Sequence, residues 1–230
     1  MTPPARRLLV PGLTTLFAVL LLLALGTWQV VRLQWKLGIL ARIEAAEAAP
    51  PAPLGPQPPP FAKVSVTGRF DYAKAASYGA DVRDTRAGPV MGTRQIVPLE
   101  RTGASPVLVD RGWIPQPAAT PPDAPPGEVT VAGYVRPSDA PRWFSPAPDL
   151  AARRFYTLDA AAIGLALSLP PPEPFILVAL GPETPNHYPL PAQHLPQPLN
   201  NHFAYALTWY GLAVAAIVVF IVWARKRPAA

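Results

Sequence analysis

Cysteine is absent from this chain of 230 residues, and methionine and histidine are scarce, with two and three residues respectively. Without cysteine, the chain forms no disulfide, thiolate metal centre or cysteine nucleophile. Two methionines are too few for a Met-rich copper carrier. No GxSxG, Walker or HExxH motif is present, and the carboxylates are scattered without a paired spacing. The sequence therefore predicts that the protein is not an enzyme.

Charge is absent from two apolar runs, residues 13–31 and 203–223. Each run is about 20 residues long, which as a helix is enough to cross the ~30 Å hydrocarbon core of a bilayer. Both runs are predicted to be transmembrane helices. A cleaved signal peptide is the alternative for the first run, because Arg6 and Arg7 precede it and the small residues Ala24 and Gly26 are of the type found at cleavage sites. The length of the run favours an uncleaved anchor.

The net charge of +6 is concentrated in the two tails, residues 1–12 and 224–230. All 14 acidic residues lie between the apolar runs, where 15 of the 20 Lys and Arg residues also lie. The basic tails therefore indicate membrane topology, with both termini cytoplasmic and the long middle segment outside. They do not indicate nucleic-acid binding.

The middle segment is predicted to begin with a helical extension and a proline-rich linker, residues 32–60, and to continue as a domain over residues 61–199. Alternating apolar and polar residues predict about six strands in that domain. These strands are residues 61–70, 92–100, 106–115, 127–136, 154–159 and 174–180. One helix is predicted at residues 160–169, with Asp159 as its N-cap. The fold class is a membrane protein whose two transmembrane α-helices flank a mainly antiparallel β (α+β) extracytoplasmic domain, either an open sheet or a partly closed barrel.

Polar and aromatic residues recur at i, i+3 and i+7 at the outer end of each apolar run, a spacing that puts them on one helix face. The first set is Gln29, Arg32 and Lys36, with Trp28 beside it, and the second is His202, Tyr205 and Trp209. From the pattern alone, anchoring at the membrane interface is the favoured interpretation, with Asn200 or Asn201 capping the second helix. The alternative is a site between the helices, in which an imidazole ligates haem iron and an arginine meets the haem propionates. The other two histidines, His187 and His194, are predicted to be solvated loop residues.

Two long motifs at these helix ends resemble those of the surfeit locus protein 1 family. They are "LGTWQVVRLQWK" at residues 25–36 and "NNHFAYALTWYGLA" at residues 200–213. Three internal motifs, "VSVTGRF", "PVLVDRGWIP" and "VTVAGYVR", follow the order of the family, so the resemblance covers nearly the whole chain and identifies a bacterial member.

The resemblance implies an assembly factor for haem-copper cytochrome c oxidase that binds haem a transiently and aids its insertion into subunit I. Haem a synthase and the lipid bilayer are the further partners it implies. The implied location is the bacterial inner membrane, with the main domain in the periplasm. His202 is the implied ligand of the haem iron, and Trp28, Gln29, Arg32, Tyr205 and Trp209 are carried over as cofactor-binding residues. A membrane scaffold that binds no cofactor and stabilises an oxidase assembly intermediate is the alternative.

The "RGW" motif, Arg111, Gly112 and Trp113, is predicted to be structural: Gly112 for a bulge or turn, and Trp113 for packing. Asp110 departs from the asparagine expected before this motif. Its carboxylate is predicted to pair with Arg111 or with a neighbouring residue.

Overall fold

The computed structural model describes residues 3–85, 88–117, 122–184 and 187–226. These residues form two compact units, of which the first comprises the described residues up to Arg42 and from Gln197 on, and the second spans Ile43–Pro196. The first unit contains most of helix α1 (Pro3–Ala48) and the whole of helix α3 (His202–Arg225). The second contains eight strands and the short helix α2 (Ala160–Ala166).

Helix α1 is one continuous helix of 46 residues, which confirms that the helix predicted at residues 13–31 continues through the Ala- and Glu-rich stretch after it. Helices α1 and α3 are long and apolar enough to cross a membrane by length and composition. Only 6% of the most apolar stretch of α1 and 11% of that of α3 is buried within the protein. The core helix of a soluble protein, in contrast, is mostly buried. An apolar surface of this extent needs an apolar environment.

The less exposed residues of both helices include a series spaced alternately by three and four positions. In α1 the series is Gly12, Thr15, Val19, Leu22, Gly26 and Gln29, and in α3 it is His202, Ala206, Trp209, Ala213, Ala216 and Phe220. This repeat of 3.5 residues is typical of antiparallel helices that pack with a small left-handed crossing angle. Small residues in the first series leave room for rings of the other helix, as Gly12 does for Phe220 and Gly26 for Tyr210.

The eight strands form one sheet in the order β1-β2-β6-β8-β5-β4-β3-β7, with an additional β2–β4 pairing. Their bounds are β1 Ala52–Pro53, β2 Lys63–Phe70, β3 Ala76–Thr85, β4 Gly88–Arg101, β5 Ala104–Pro115, β6 Glu128–Pro137, β7 Arg154–Phe155 and β8 Phe175–Ala179. The β2–β4 pairing involves only two residue pairs. The prediction of about six strands missed β1 and β3. Strand β1 is only two residues long, and β3 contains so many polar residues that apolar and polar positions do not alternate clearly.

The sheet is mixed, because three strand pairs are parallel: β1–β2, β3–β7 and β5–β8. The prediction of a mainly antiparallel sheet holds for the other pairs. The parallel β5–β8 pairing requires a crossover connection, and the chain between these two strands passes through β6, β7 and α2. The N-cap of α2 is as predicted: Asp159 accepts hydrogen bonds from Ala161 N (3.0 Å) and Ala162 N (3.1 Å).

The core of the domain consists of two apolar clusters on opposite faces of the sheet. Strand β5 contributes to both, since Leu108 belongs to one cluster while Val107 and Val109 belong to the other. Helix α2 covers the Leu108 side through Ala160 and Ile163. Because both faces of β5 are buried, the segment "PVLV" at residues 106–109 is continuously apolar rather than alternating.

Candidate functional site

The candidate site is a polar pair between the two long helices. His202, the first residue of α3, and Gln29 of α1 form a hydrogen bond of 2.7 Å between Nδ1 and Oε1. Gln29 is 9% exposed and is one of three buried polar residues in the described part of the chain. A buried amide in an apolar helix is costly unless it is paired, and His202 is its partner.

The sequence before α3 determines where His202 lies. Two prolines, Pro196 and Pro198, precede the helix, and Asn201 occupies the N-cap position without a side-chain hydrogen bond. The side chain of Asn200 accepts instead, from the backbone N–H of His202 at 3.4 Å. Of the two asparagines considered as caps, Asn200 supplies the side-chain acceptor.

The bond to Gln29 determines which ring nitrogen of His202 is available. When Nδ1 donates this bond to the amide oxygen, Nε2 is the ring nitrogen left for another partner. Among the residues that the structure describes, Nε2 has no hydrogen-bond partner. Metal-ligating histidines are commonly oriented in this way, since a bond at one ring nitrogen fixes the tautomer for ligation through the other.

A second interhelical contact lies next to this pair, at residues that the sequence analysis did not single out as site residues. The ring of Tyr210 packs on Gly26, where an added Cβ would lie 2.7 Å from the ring. The Tyr210 hydroxyl and Thr27 Oγ1 are 3.1 Å apart and hydrogen-bonded. Tyr210 follows His202 by eight positions and so lies on a similar side of α3, which is the signal that could have identified it.

The other four candidate residues lie around the pair without a described contact to His202. Trp28 and Tyr205 are more than half exposed. The exposed Arg32 places its guanidinium carbon 4.4 Å from the centre of the Trp35 ring. Trp209 is half-buried, and its indole Nε1 is enclosed without a hydrogen-bond partner. The structure thus joins only Gln29 and His202 directly, and the remaining residues border the same helix ends.

The other two histidines lie in exposed loops, as predicted. His187 Nδ1 is 3.2 Å from an oxygen of Asp123, and His194 Nδ1 is 3.6 Å from one of Glu47. Both side chains are more than 60% exposed. Within residues 3–85, 88–117, 122–184 and 187–226, no three His, Asp or Glu side chains are grouped to hold a metal ion. Of the three histidines, His202 is the one held between the two long helices, by its bond to Gln29.

The "RGW" motif is structural, as predicted. Gly112 forms a β-bulge with Arg111 opposite Gln95. The φ of Gly112 is +125°, and an added Cβ would lie 1.9 Å from the carbonyl oxygen of Leu190. Trp113 is 1% exposed, and its Nε1 donates to Asp81 O at 3.1 Å. Only glycine meets the conformational and spatial requirements at position 112.

Asp110 pairs across the sheet with Arg94 rather than with Arg111. Arg94 Nε donates to Asp110 Oδ2 at 2.5 Å, and the backbone N–H of Gly112 donates to Oδ1 at 3.1 Å. Burial raises the pKa of the Asp110 carboxyl, and these two donors oppose the increase. The departure from the expected asparagine is thus accommodated by an ion pair inside the domain.

These features define a class of protein: two long apolar helices linked by an imidazole–amide pair, with a mixed β domain inserted between them in the sequence. The model of the SURF1 family matches residues 16–214, which include both helix ends and the whole domain. The chain belongs to the SURF1 family. The resemblance predicted from the two terminal motifs is thereby confirmed.

Bacterial and animal proteins are similar to this chain along most of its length. The SURF1-like protein of Rickettsia felis is 30% identical over 231 residues, covering 94% of this chain and 97% of its own length. Surfeit locus protein 1 of Homo sapiens is 29% identical over 212 residues, covering 83% of this chain and 70% of its own length.

Proposed function

We propose that this protein is a membrane-anchored assembly factor that binds haem a transiently and aids its insertion into subunit I of haem-copper cytochrome c oxidase. Proteins of the SURF1 family are known generally as cytochrome oxidase assembly factors. The role proposed here is that of a chaperone rather than an enzyme. It holds a reactive apolar cofactor and releases it to a site of higher affinity.

The observation that carries the haem proposal is the hydrogen bond between His202 and Gln29. With Nδ1 bonded to Gln29, Nε2 is the ring atom that is left to ligate a metal. A bound haem supplies an iron that accepts axial imidazole ligands. A single histidine suits weak, exchangeable ligation, as a carrier requires. The amide of Gln29 orients the ring, and the exposed Arg32 supplies a cation for the carboxylates at the cofactor's edge.

The proposed location is the bacterial inner membrane, with both termini in the cytoplasm and the β domain in the periplasm. The basic tails support this topology. An uncleaved first helix is supported by a contact on the N-terminal side of residues 24–26, where Gly12 lies against the ring of Phe220. Subunit I and haem a synthase are the proposed partners.

A scaffold that binds no cofactor is the second candidate, and one observation favours it. The same bond that orients His202 also joins two helices, which is a sufficient structural reason for both side chains. In that case the β domain binds an oxidase assembly intermediate, and the imidazole of His202 only contributes to helix packing.

The experiment is to express the full chain in a host with active haem a synthesis, purify it in detergent and record the visible spectrum. The variants are His202→Ala and Gln29→Leu, and the matched control is His194→Ala, which removes an exposed histidine. We expect haem a with the wild type and the control, and none with His202→Ala. Gln29→Leu should weaken haem affinity by about 10- to 100-fold, as loss of such a supporting bond does at metal sites.

Two results would contradict the haem proposal: a wild-type preparation free of haem, or an unchanged spectrum in His202→Ala. If a strain without the protein nevertheless fails to assemble its oxidase, the scaffold function is favoured.

A further inference from the structure

A turn between β6 and β7 presents two aromatic side chains to solvent. Trp143 and Phe144 occupy its central positions, and two hydrogen bonds between Arg142 and Ser145 close it. Ser145 N donates to Arg142 O, and Arg142 N donates to Ser145 Oγ, both at 2.9 Å. The rings meet edge to face, with centroids 5.3 Å apart. The aromatic pair therefore lies at the tip of a tight, doubly bonded turn.

The composition of this tip is unusual for an exposed turn. The central positions of turns are mostly Gly, Pro, Asn, Asp or Ser, which satisfy the backbone without exposing apolar surface. Here Trp143 is 96% exposed and Phe144 is 60% exposed, and Trp143 is the most exposed large apolar side chain in the described part of the chain. Pro141 and Pro146 flank the turn and restrict its backbone. An apolar tip on a turn whose backbone is restricted indicates a surface that contacts another apolar environment.

The turn follows the end of the sheet at which the chain enters the β domain. Strands β2 and β6 are antiparallel, and Lys63, the first residue of β2, lies opposite Tyr134 of β6. Strand β6 continues beyond this point to Pro137 and then leads into the turn. Lys63 Nζ in turn donates to the carbonyl oxygen of Glu47, in the last turn of α1. The aromatic tip thus follows the sheet end at which β2 begins, where Lys63 contacts Glu47.

We propose that the turn at residues 142–145 docks on the lipid surface of the membrane. Trp and Phe are side chains that partition into the interfacial region of a bilayer, and a neighbouring cation interacts with lipid phosphates. Arg142 meets that requirement, since it is exposed and forms none of the ion pairs in the described part of the chain. The inference rests on the proposed membrane anchoring of α1 and α3. The turn supplies a third attachment, which limits how the domain orients above the bilayer.

The absence of cysteine allows a direct test on the full chain, because a single introduced cysteine is the only labelling site. Ala147→Cys places an environment-sensitive fluorophore beside the turn without altering it. Asp84→Cys places the same label near the end of β3, towards the opposite end of the sheet. Val218→Cys, an exposed position in α3, reports membrane insertion. Each protein is reconstituted into phosphatidylethanolamine–phosphatidylglycerol vesicles that contain nitroxide-labelled lipid.

We expect headgroup nitroxides to quench the Ala147 label several-fold more strongly than the Asp84 label, and acyl-chain nitroxides to quench the Val218 label. Replacing Trp143 and Phe144 together by serine should reduce quenching at Ala147 to the Asp84 level, because serine preserves the turn and removes the apolar tip. Arg142→Gln should weaken the quenching, most clearly at low salt.

Two results would overturn the inference while leaving the anchoring intact. One is a quenched Val218 label with an Ala147 label quenched no more than the Asp84 label. The other is a shielded Ala147 label that lipid nitroxides do not quench, which would assign the turn to a protein partner. An unquenched Val218 label would overturn the membrane anchoring itself, and this inference with it.

Discussion

Replacing Arg94 by methionine should destabilise the β domain strongly, because it leaves the Asp110 carboxylate buried without its cation. Asp110 is fully buried, and Arg94 Nε lies 2.5 Å from it. The remaining donor in direct contact is the backbone N–H of Gly112. Removing one member of a buried ion pair costs about 3–5 kcal/mol, a large fraction of the 5–15 kcal/mol that is usual for a domain.

The loss should also depend on pH in a defined direction. Burial raises the pKa of Asp110 in the folded state, and loss of Arg94 removes the main opposing interaction. In the folded variant the Asp110 carboxyl then keeps its proton at pH values at which the same carboxyl in the unfolded chain has released it. Its stability should therefore rise as the pH falls from neutrality towards the unfolded pKa of about 3.9, by up to about 1.4 kcal/mol per pH unit.

Urea unfolding of the full chain in detergent, read by pulse proteolysis of the β domain, measures both effects. With a urea dependence of about 2 kcal/mol per molar, the midpoint at neutral pH should fall by about 1.5–2.5 M. Adding Asp110→Asn to Arg94→Met should recover most of the loss, because no charge then stays buried. A variant as stable as the wild type, or one whose loss is equal at acidic and neutral pH, would refute this reasoning.

Three further predictions concern local features. Gly112→Ala should destabilise the domain by about 3 kcal/mol or more, since the φ of +125° and a carbonyl oxygen 1.9 Å from the new Cβ both oppose it. Gly55→Ala, in open space, is its control and should change the urea midpoint little. Asp159→Ala should cost about 1 kcal/mol by removing the N-cap of α2, measured in the same assay. Gly26→Leu should separate α1 from α3, because its side chain would overlap an aromatic ring, whereas Gly211→Leu should not. Helix separation can be measured as the detergent concentration at which the pair dissociates, and equal values for the two leucine variants would contradict the packing described here.

The two polar residues of the candidate site were predictable individually but not as a pair. Gln29 and His202 stand out because each is a polar side chain at the end of an apolar run, and antiparallel helices bring those ends together. Their hydrogen bond joins residues 173 positions apart, and it depends on the rotation of each helix about its own axis. That rotation is determined by close packing, such as that of Tyr210 on Gly26, which sequence spacing does not reveal.

Features that depend on neighbouring residues could be predicted from the sequence: two apolar helices, the alternating strands, the N-cap at Asp159 and the glycine of the bulge. Each follows from local periodicity or from the conformational preferences of one residue. Four features became apparent only in the folded domain: the strand order, the parallel β5–β8 pairing, the polar strand β3 and the pairing of Asp110 with Arg94. These features depend on contacts between residues that are distant in the sequence. The buried carboxylate of Asp110 needs a cation, and the fold determines which cation lies close enough to pair with it.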